Sequence, residues 1–367
     1  MSAILRLCNI TKRFPGVVAN DCVSLEIETG EIHALLGENG AGKTTLMNCL
    51  YGLYQPQEGE IYLNGERVSI ACTGDAVRLG IGMIHQHFML VPQLTVLENV
   101  LASLPNQTGV FLDPQRGRKL ITDLASQHSL LVDPDAYVWQ LSVGTQQRVE
   151  IIKVLLTGAA ILILDEPTAV LTPQEAEELF HILRSLRAEG KTIIFITHKL
   201  DEVMRISDRV TVLRNGRVVG TLKTAETTPR ELARMMVGRE VIFRVAREPT
   251  RVGEEVLTVE GLHALSDRGL PAVVGVSFSV HRGEVLGIAG VDGNGQMELA
   301  EAITGLRRVS QGTVRIAGED ATNASPRAIR RKGVGHIPAE RHAVGTVGEF
   351  SVANNVVMTR YEEPPSS

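Results

Sequence analysis

The sequence predicts an α/β fold built on a parallel sheet, present as one complete domain followed by a partial second copy. Short segments that are apolar throughout alternate with segments of helical spacing. A glycine-rich turn follows the first of these apolar segments, and the turn with its surroundings recurs 253 residues later. Strands that alternate with helices imply a parallel sheet, and strands apolar on both faces belong at its centre.

The first such strand is EIHALLG, residues 31–37, and AGKTTLMNCLYGL, residues 41–53, reads as a helix opening at the turn after it. The turn itself, Gly37-Glu38-Asn39-Gly40-Ala41-Gly42-Lys43-Thr44-Thr45, fits the phosphate-binding pattern G-x-x-x-x-G-K-[ST]. Glycines let backbone N–H groups curl around phosphate oxygens, and the following helix aims its positive end at the same anion. Lys43 is then placed to neutralise β- and γ-phosphates and Thr44 to bind Mg²⁺. A bare strand-to-helix turn is the competing reading, and the apolar strand before and helix after argue against it. A second buried strand, ILILDEP at 161–167, ends in two acids where α/β sheets bind ligands. Asp165 is expected to hold Mg²⁺ and Glu166 to act as general base on water. QEAEELFHILRSLRAEG, residues 174–190, has helical spacing with a glycine stop, and TIIFITH, residues 192–198, is a third strand.

Residues 30–65 and 283–318 align without a gap. Gly30, Gly37, Gly40, Gly42, Gly52, Gly59 and Gly65 meet Gly283, Gly290, Gly293, Gly295, Gly305, Gly312 and Gly318. The same offset carries RLGIGMI (78–84) onto RKGVGHI (331–337), and LTVLENV (94–100) then matches FSVANNV (350–356). The expected boundaries are a complete domain at 1–240, a charged linker at 241–255 and an incomplete second copy at 256–367. The tail YEEPPSS does not read as the finish of a folded element. In the second copy Lys43 becomes Gln296, Thr44 becomes Met297 and Gln86 becomes Ala339. Without the cation and the hydroxyl the second loop loses its charge-assisted contacts, and no hydrolysis is expected there.

A composition of 44% hydrophobic and 22% charged residues is that of an ordinary folded protein. Aromatic residues at 4% and a formal net charge of −5 argue against a nucleic-acid surface, which needs stacking platforms and a basic excess. Cys8, Cys22, Cys49 and Cys72 form no C-x-x-C pair and are expected to be reduced and mostly buried, as in an intracellular protein. No leader and no stretch of about 20 apolar residues is apparent.

Leu141-Ser142-Val143-Gly144-Thr145-Gln146-Gln147-Arg148, followed by the apolar VEIIKVLLTGAA, resembles the LSGGQ signature of the ABC transporter ATP-binding proteins. That resemblance implies a P-loop NTPase core of the ABC ATPase kind, with an antiparallel β subdomain and a helical subdomain. It implies that Ser142 and Gly144 cap the γ-phosphate bound by the opposite unit of a head-to-tail dimer. Phe14 matches the aromatic that stacks on adenine, Gln86 the glutamine that senses Mg²⁺ and the attacking water, and His198 the histidine that contacts the γ-phosphate. Val143 departs from the signature's glycine and Thr145 from its glutamine, and Thr172 stands where the family usually carries aspartate. GMIHQHFMLVPQLTVLENV and the tandem layout are similar to ATPase subunits of bacterial importers for simple sugars and nucleosides. The histidines flanking Gln86, His85 and His87, look closest to the nucleoside branch.

The resemblance thus implies ATP and Mg²⁺ as cofactors and a peripheral place on the cytoplasmic face of the membrane. Its implied partners are integral membrane permease subunits, indirectly an extracytoplasmic solute-binding protein, and a second ABC unit, with no nucleic acid. The alternatives are a soluble ABC ATPase acting on ribosomes or DNA, and a truncated chain that binds ATP without turnover.

Overall fold

The structure, a computed structural model, describes residues 3–86, 88–103, 114–128, 130–238, 252–267, 269–290, 293–339 and 344–358. The chain divides into two compact units, Met1–Phe243 and Arg244–Ser367. Residues 241–251 of the expected linker and the tail at 361–367 lie outside the described residues.

The first unit opens with β1 (Ala3–Phe14) and β2 (Val17–Glu28), which pair antiparallel. Their alternation buries Leu5, Leu7, Val23, Leu25 and Ile27 on one face. The wholly buried β3 (Ile32–Leu36) leads through the glycine-rich turn into α1 (Lys43–Leu50). β4 (Glu58–Leu63) and β5 (Glu66–Val68) complete a four-stranded antiparallel sheet in the order β2-β1-β4-β5. There follow α2 (Thr73–Arg78), β6 (Ile81–Ile84), α3 (Val96–Ser103), α4 (Pro114–Gln127) and α5 (Val143–Leu156). The chain continues through β7 (Ile161–Asp165), α6 (Pro173–Ala188), β8 (Thr192–Thr197), α7 (Leu200–Ile206), β9 (Arg209–Arg214), β10 (Arg217–Lys223) and α8 (Pro229–Val237). The six-stranded sheet runs β10-β9-β3-β8-β7-β6 and is parallel except for the β9–β10 hairpin.

Alternate side chains of the central strands enter different cores, which is why these strands are apolar throughout. Leu162 and Leu164 of β7, with Ile193 and Phe195 of β8, pack among Phe180, Val149 and Val100. Ile161 and Ile163, with Ile194 and Ile196, pack on the other side among Leu46, Leu25 and Leu7. Each of these fully buried side chains contributes about 1.5–3 kcal/mol of transfer free energy.

The second unit repeats the antiparallel sheet with β11 (Glu255–Leu265), β12 (Pro271–His281), β13 (Val309–Ile316) and β14 (Glu319–Asp320), in the order β12-β11-β13-β14. α9 (Gln296–Ile303), α10 (Pro326–Arg331) and α11 (Val352–Val357) are its helices among the described residues. Gly59 and Gly312, paired by the internal repeat, have φ of 104° and 92°. At both, a Cβ would stand within 2.6 Å of a neighbouring backbone oxygen, so only glycine fits. The repeat does not extend to the central strand. Residues 284–290, the counterpart of β3, form no strand, and Val285 is 91% exposed. In the first unit β3 is hydrogen-bonded between β8 and β9, and no counterparts of those neighbours occur among the described residues of the second.

One expectation is corrected. Of the four cysteines, only Cys49 is buried, and burial pushes its thiol up to about 11, with Lys12 opposing. Cys22 and Cys72 are exposed. Cys22 sits at a left-handed position of β2 (φ 53°), and Cys72 is the N-cap of α2.

Candidate functional site

Four parallel strands bring the chemistry to one edge, the carboxyl end of the sheet, where open α/β sheets take ligands. Gly37 follows β3, Gln86 lies two residues past β6, Asp165 ends β7, and His198 follows β8. A cavity of about 550 Å³ opens there, lined by Asn39–Thr45, Gln86 and Glu166. Val17, Val18 and Ala19 of β2, with Asn215 and Gly216 of the β9–β10 turn, complete its wall. Gly42 has φ 97°, and a Cβ on it would meet the Ala19 carbonyl oxygen at 2.3 Å. It is the N-cap of α1 and supplies no side-chain cap, so first-turn N–H groups are left for a ligand in the loop.

Lys43 is 5% exposed. Its Nζ donates to the carbonyl oxygens of Gly37 (2.7 Å) and Glu38 (3.0 Å). Burial holds this ammonium below the ordinary lysine range, while Glu166 and Asp165 pull it back up. Thr44 Oγ1 donates to Asp165 Oδ1 at 3.2 Å. Burial raises the Asp165 carboxyl, as does Glu166, against the Thr44 hydrogen bond and the Lys43 and His85 charges. Glu166 adopts φ 45°, a left-handed conformation costing a non-glycine residue about 1–2 kcal/mol, and such strain collects at active sites. It is held by its N–H to the Ile196 carbonyl (3.0 Å) and by an Oε1 contact of 3.0 Å with His198 Nδ1. Behind them the buried Glu202 carboxylate accepts from Thr168 and, at 2.8 Å, from Thr197, with Lys199 Nζ 3.0 Å away. One carboxylate thereby ties the loop after β7 to the loop after β8.

The remaining expected residues stand elsewhere. Gly37 and Glu38 back the loop through their carbonyls and do not line the cavity. Phe14 also lies outside the lining; its ring meets Tyr54 edge-on at 5.3 Å, with Lys12 Nζ 5.1 Å from its centroid. Ser142 caps α5, accepting from the Thr145 N–H at 3.2 Å, and Thr145 Oγ1 is 3.0 Å from the same hydroxyl. Neither Ser142 nor Gly144 lines the Lys43 cavity; a Cβ on Gly144 would meet Glu175 Oε1 at 2.5 Å. His85 packs edge-on to Tyr51 at 5.9 Å, and burial lowers it against Glu150 and Asp165. His87 is outside the described residues.

Sequence reasoning missed Asn20, Glu202 and the Asn215-Gly216 turn. The dipeptide Asn-Gly between two apolar runs signals a hairpin and was open to reading. Nothing in the sequence ties Asn20 or Glu202 to the loops they contact. In the second unit a cavity of about 580 Å³ has Gln296, Met297 and Ala339 at the repeat-equivalent positions, together with Glu298 and Glu301. Gln296 and Met297 stand there in place of Lys43 and Thr44, so the charge-assisted contacts of the first loop have no counterpart.

The family model for ABC transporters matches residues 21–169 and 273–362. The nucleoside import ATP-binding protein NupA of Lactococcus lactis subsp. cremoris is 48% identical over 364 residues, 99% of this chain and 72% of that protein. The guanosine import ATP-binding protein NupO of Bacillus subtilis is 49% identical over 367 residues, with 100% and 72% covered. Among solved structures, MJ1267 in its ADP conformation, an ATP-binding cassette of an ABC transporter, superposes with a TM-score of 0.57 at 26% identity. It covers 65% of this chain and 100% of that one. No helix among the described residues is long and apolar enough to cross a membrane. The chain belongs to the ABC transporter family of ATP-binding proteins.

Proposed function

We propose that the chain is the ATP-binding and ATP-hydrolysing subunit of an importer that takes up a nucleoside or a simple sugar. The supporting observation is the convergence of Lys43, Thr44, Gln86 and Glu166 at one cavity, with Asp165 bonded to Thr44, all carried at the ends of three parallel strands. The solute class rests on relatives named for import of nucleosides, guanosine, glucose and ribose. Lys43 exchanges its two carbonyl partners for phosphate oxygens, a stronger charge-assisted contact. The Thr44–Asp165 pair fits Mg²⁺, which takes one or two protein oxygens and completes its shell from phosphate and water. When bound, the metal supplies charge to the phosphates, while Glu166 accepts a proton from water and His198 holds its carboxylate in place.

In this reading the domains are 1–240 and 256–367, joined by 241–255, and Ser142 and Gly144 serve the cavity of another ABC unit packed head to tail. Phe14 stacks on adenine after turning from Tyr54. The ABC units drive integral membrane permease subunits from the cytoplasmic face, and an extracytoplasmic solute-binding protein delivers the solute. Two variants test the site. Lys43→Ala is expected to abolish binding of a fluorescent ATP analogue, and retained tight binding refutes the assignment. Glu166→Gln is expected to bind normally and lose at least about a hundredfold in turnover, the usual contribution of a general base. Vesicle uptake by the reconstituted complex, nucleosides against pentoses, decides the solute.

A further inference from the structure

The phosphate loop is held from outside by a residue the established motifs do not include. Asn20, on β2, is wholly buried, and its Nδ2 donates to the carbonyl oxygen of Gly42 at 3.0 Å. The same oxygen accepts the Leu46 N–H at 3.0 Å, the first bond of α1, so both of its lone pairs are used. A trans peptide is planar, with its N–H opposite its C=O. Fixing the Gly42 carbonyl along the helix therefore fixes the Lys43 N–H in the opposite direction, toward the cavity lined by Gly40–Thr45.

Asn20 Oδ1 is also buried and has no hydrogen-bond partner among the described residues. An orphaned buried oxygen is unfavourable, and a leucine, with the same branched side-chain shape, would avoid it. The one polar contact this side chain makes among the described residues is the bond to the loop. The neighbouring backbone acts on the same loop: Asp21 N–H donates to the Gly216 carbonyl (2.9 Å), and Gly216 N–H donates to the Ala41 carbonyl (3.1 Å). Two consecutive loop carbonyls, of Ala41 and Gly42, are thus anchored, the first by the β9–β10 turn and the second by Asn20.

We infer that Asn20 is a positioning residue for nucleotide phosphates, acting through the Gly42–Lys43 peptide. The inference rests on the proposed nucleotide site and deepens it. Its test uses the full chain with Asn20→Leu and with Asn20→Asp, which keeps the shape but presents an acceptor to the Gly42 carbonyl. Affinity for a methylanthraniloyl-labelled ATP is measured beside the thermal midpoint without nucleotide and amide hydrogen exchange at residues 42–46. Asn20→Leu is expected to weaken binding about tenfold and speed exchange at those amides, with a nucleotide-free midpoint equal to or above the parent's. Asn20→Asp is expected to weaken binding at least as much. Should the leucine variant fail to fold, the aspartate variant decides. Binding within twofold of the parent in the folded variants overturns this role alone. A parent chain that binds no labelled ATP overturns the nucleotide site itself, and the role with it.

Discussion

At the scale of single residues, the site contains groups that work against the stability of the unit around them. Asp165 is 2% exposed, and burial raises its carboxyl above the ordinary aspartate value. A folded-state pKa above the unfolded one means that ionisation disfavours the folded state. That cost is absent below the ordinary aspartate range. It grows as pH rises toward the raised folded value and is fully present above it. Asp165→Asn keeps the acceptor for Thr44 and removes the charge. The variant is therefore expected to melt about 2–4 °C higher at neutral pH, corresponding to roughly 1 kcal/mol in a unit of this size. The difference is expected to disappear in acid, and Mg²⁺-dependent tightening of ATP binding is expected to be lost. A midpoint at or below the parent's at neutral pH refutes the argument. Lys43 and Thr44 are legible in the sequence because phosphate geometry dictates their spacing, and Glu166 because it stands at the end of an apolar strand. The left-handed backbone of Glu166 is not, because its strain is imposed by β8 through the Ile196 carbonyl.

At the scale of elements, Thr172 shows how a departure from the family pattern is absorbed. It is the N-cap of α6, accepting from the Glu175 N–H at 3.3 Å, while Glu175 Oε2 accepts the Thr172 N–H at 2.9 Å. Threonine fills this capping box as aspartate fills an N-cap, by offering an oxygen to the first turn. Thr172→Ala is expected to cost about 1 kcal/mol by denaturant unfolding, with the urea dependence unchanged. A loss below about 0.3 kcal/mol would mean the cap contributes little. β3, β7, β8 and α6 lie where their patterns place them, because a strand apolar on both faces has few other destinations. The antiparallel sheet came from family resemblance alone. In β1 a bulge between Leu7 and Ile10 interrupts the alternation begun at Leu5, and in β2 the alternation is confined to Val23–Ile27.

At the scale of the molecule, the duplication is legible because glycine positions record backbone conformation. Gly40 and Gly293 share φ of 81° and 84°, and Gly42 and Gly295 share 97° and 90°. Invisible in the aligned residues is that the second copy's counterpart of β3 forms no strand, since a parallel strand depends on neighbours distant in sequence. The same dependence on distant parts governs turnover. The cavity around Lys43 is not lined by Ser142 or Gly144, and LSVGT occurs once in the 367 residues. If a signature loop must close the cavity, a sample of these 367 residues alone obtains it from a second molecule, and its rate follows the population of dimers. Well below the dimer dissociation constant, each tenfold dilution then lowers the ATPase rate per molecule about tenfold, while binding of labelled ATP per molecule holds constant. A rate per molecule that stays level over a hundredfold dilution, in a range where sedimentation finds monomers, would show that one chain closes its own site.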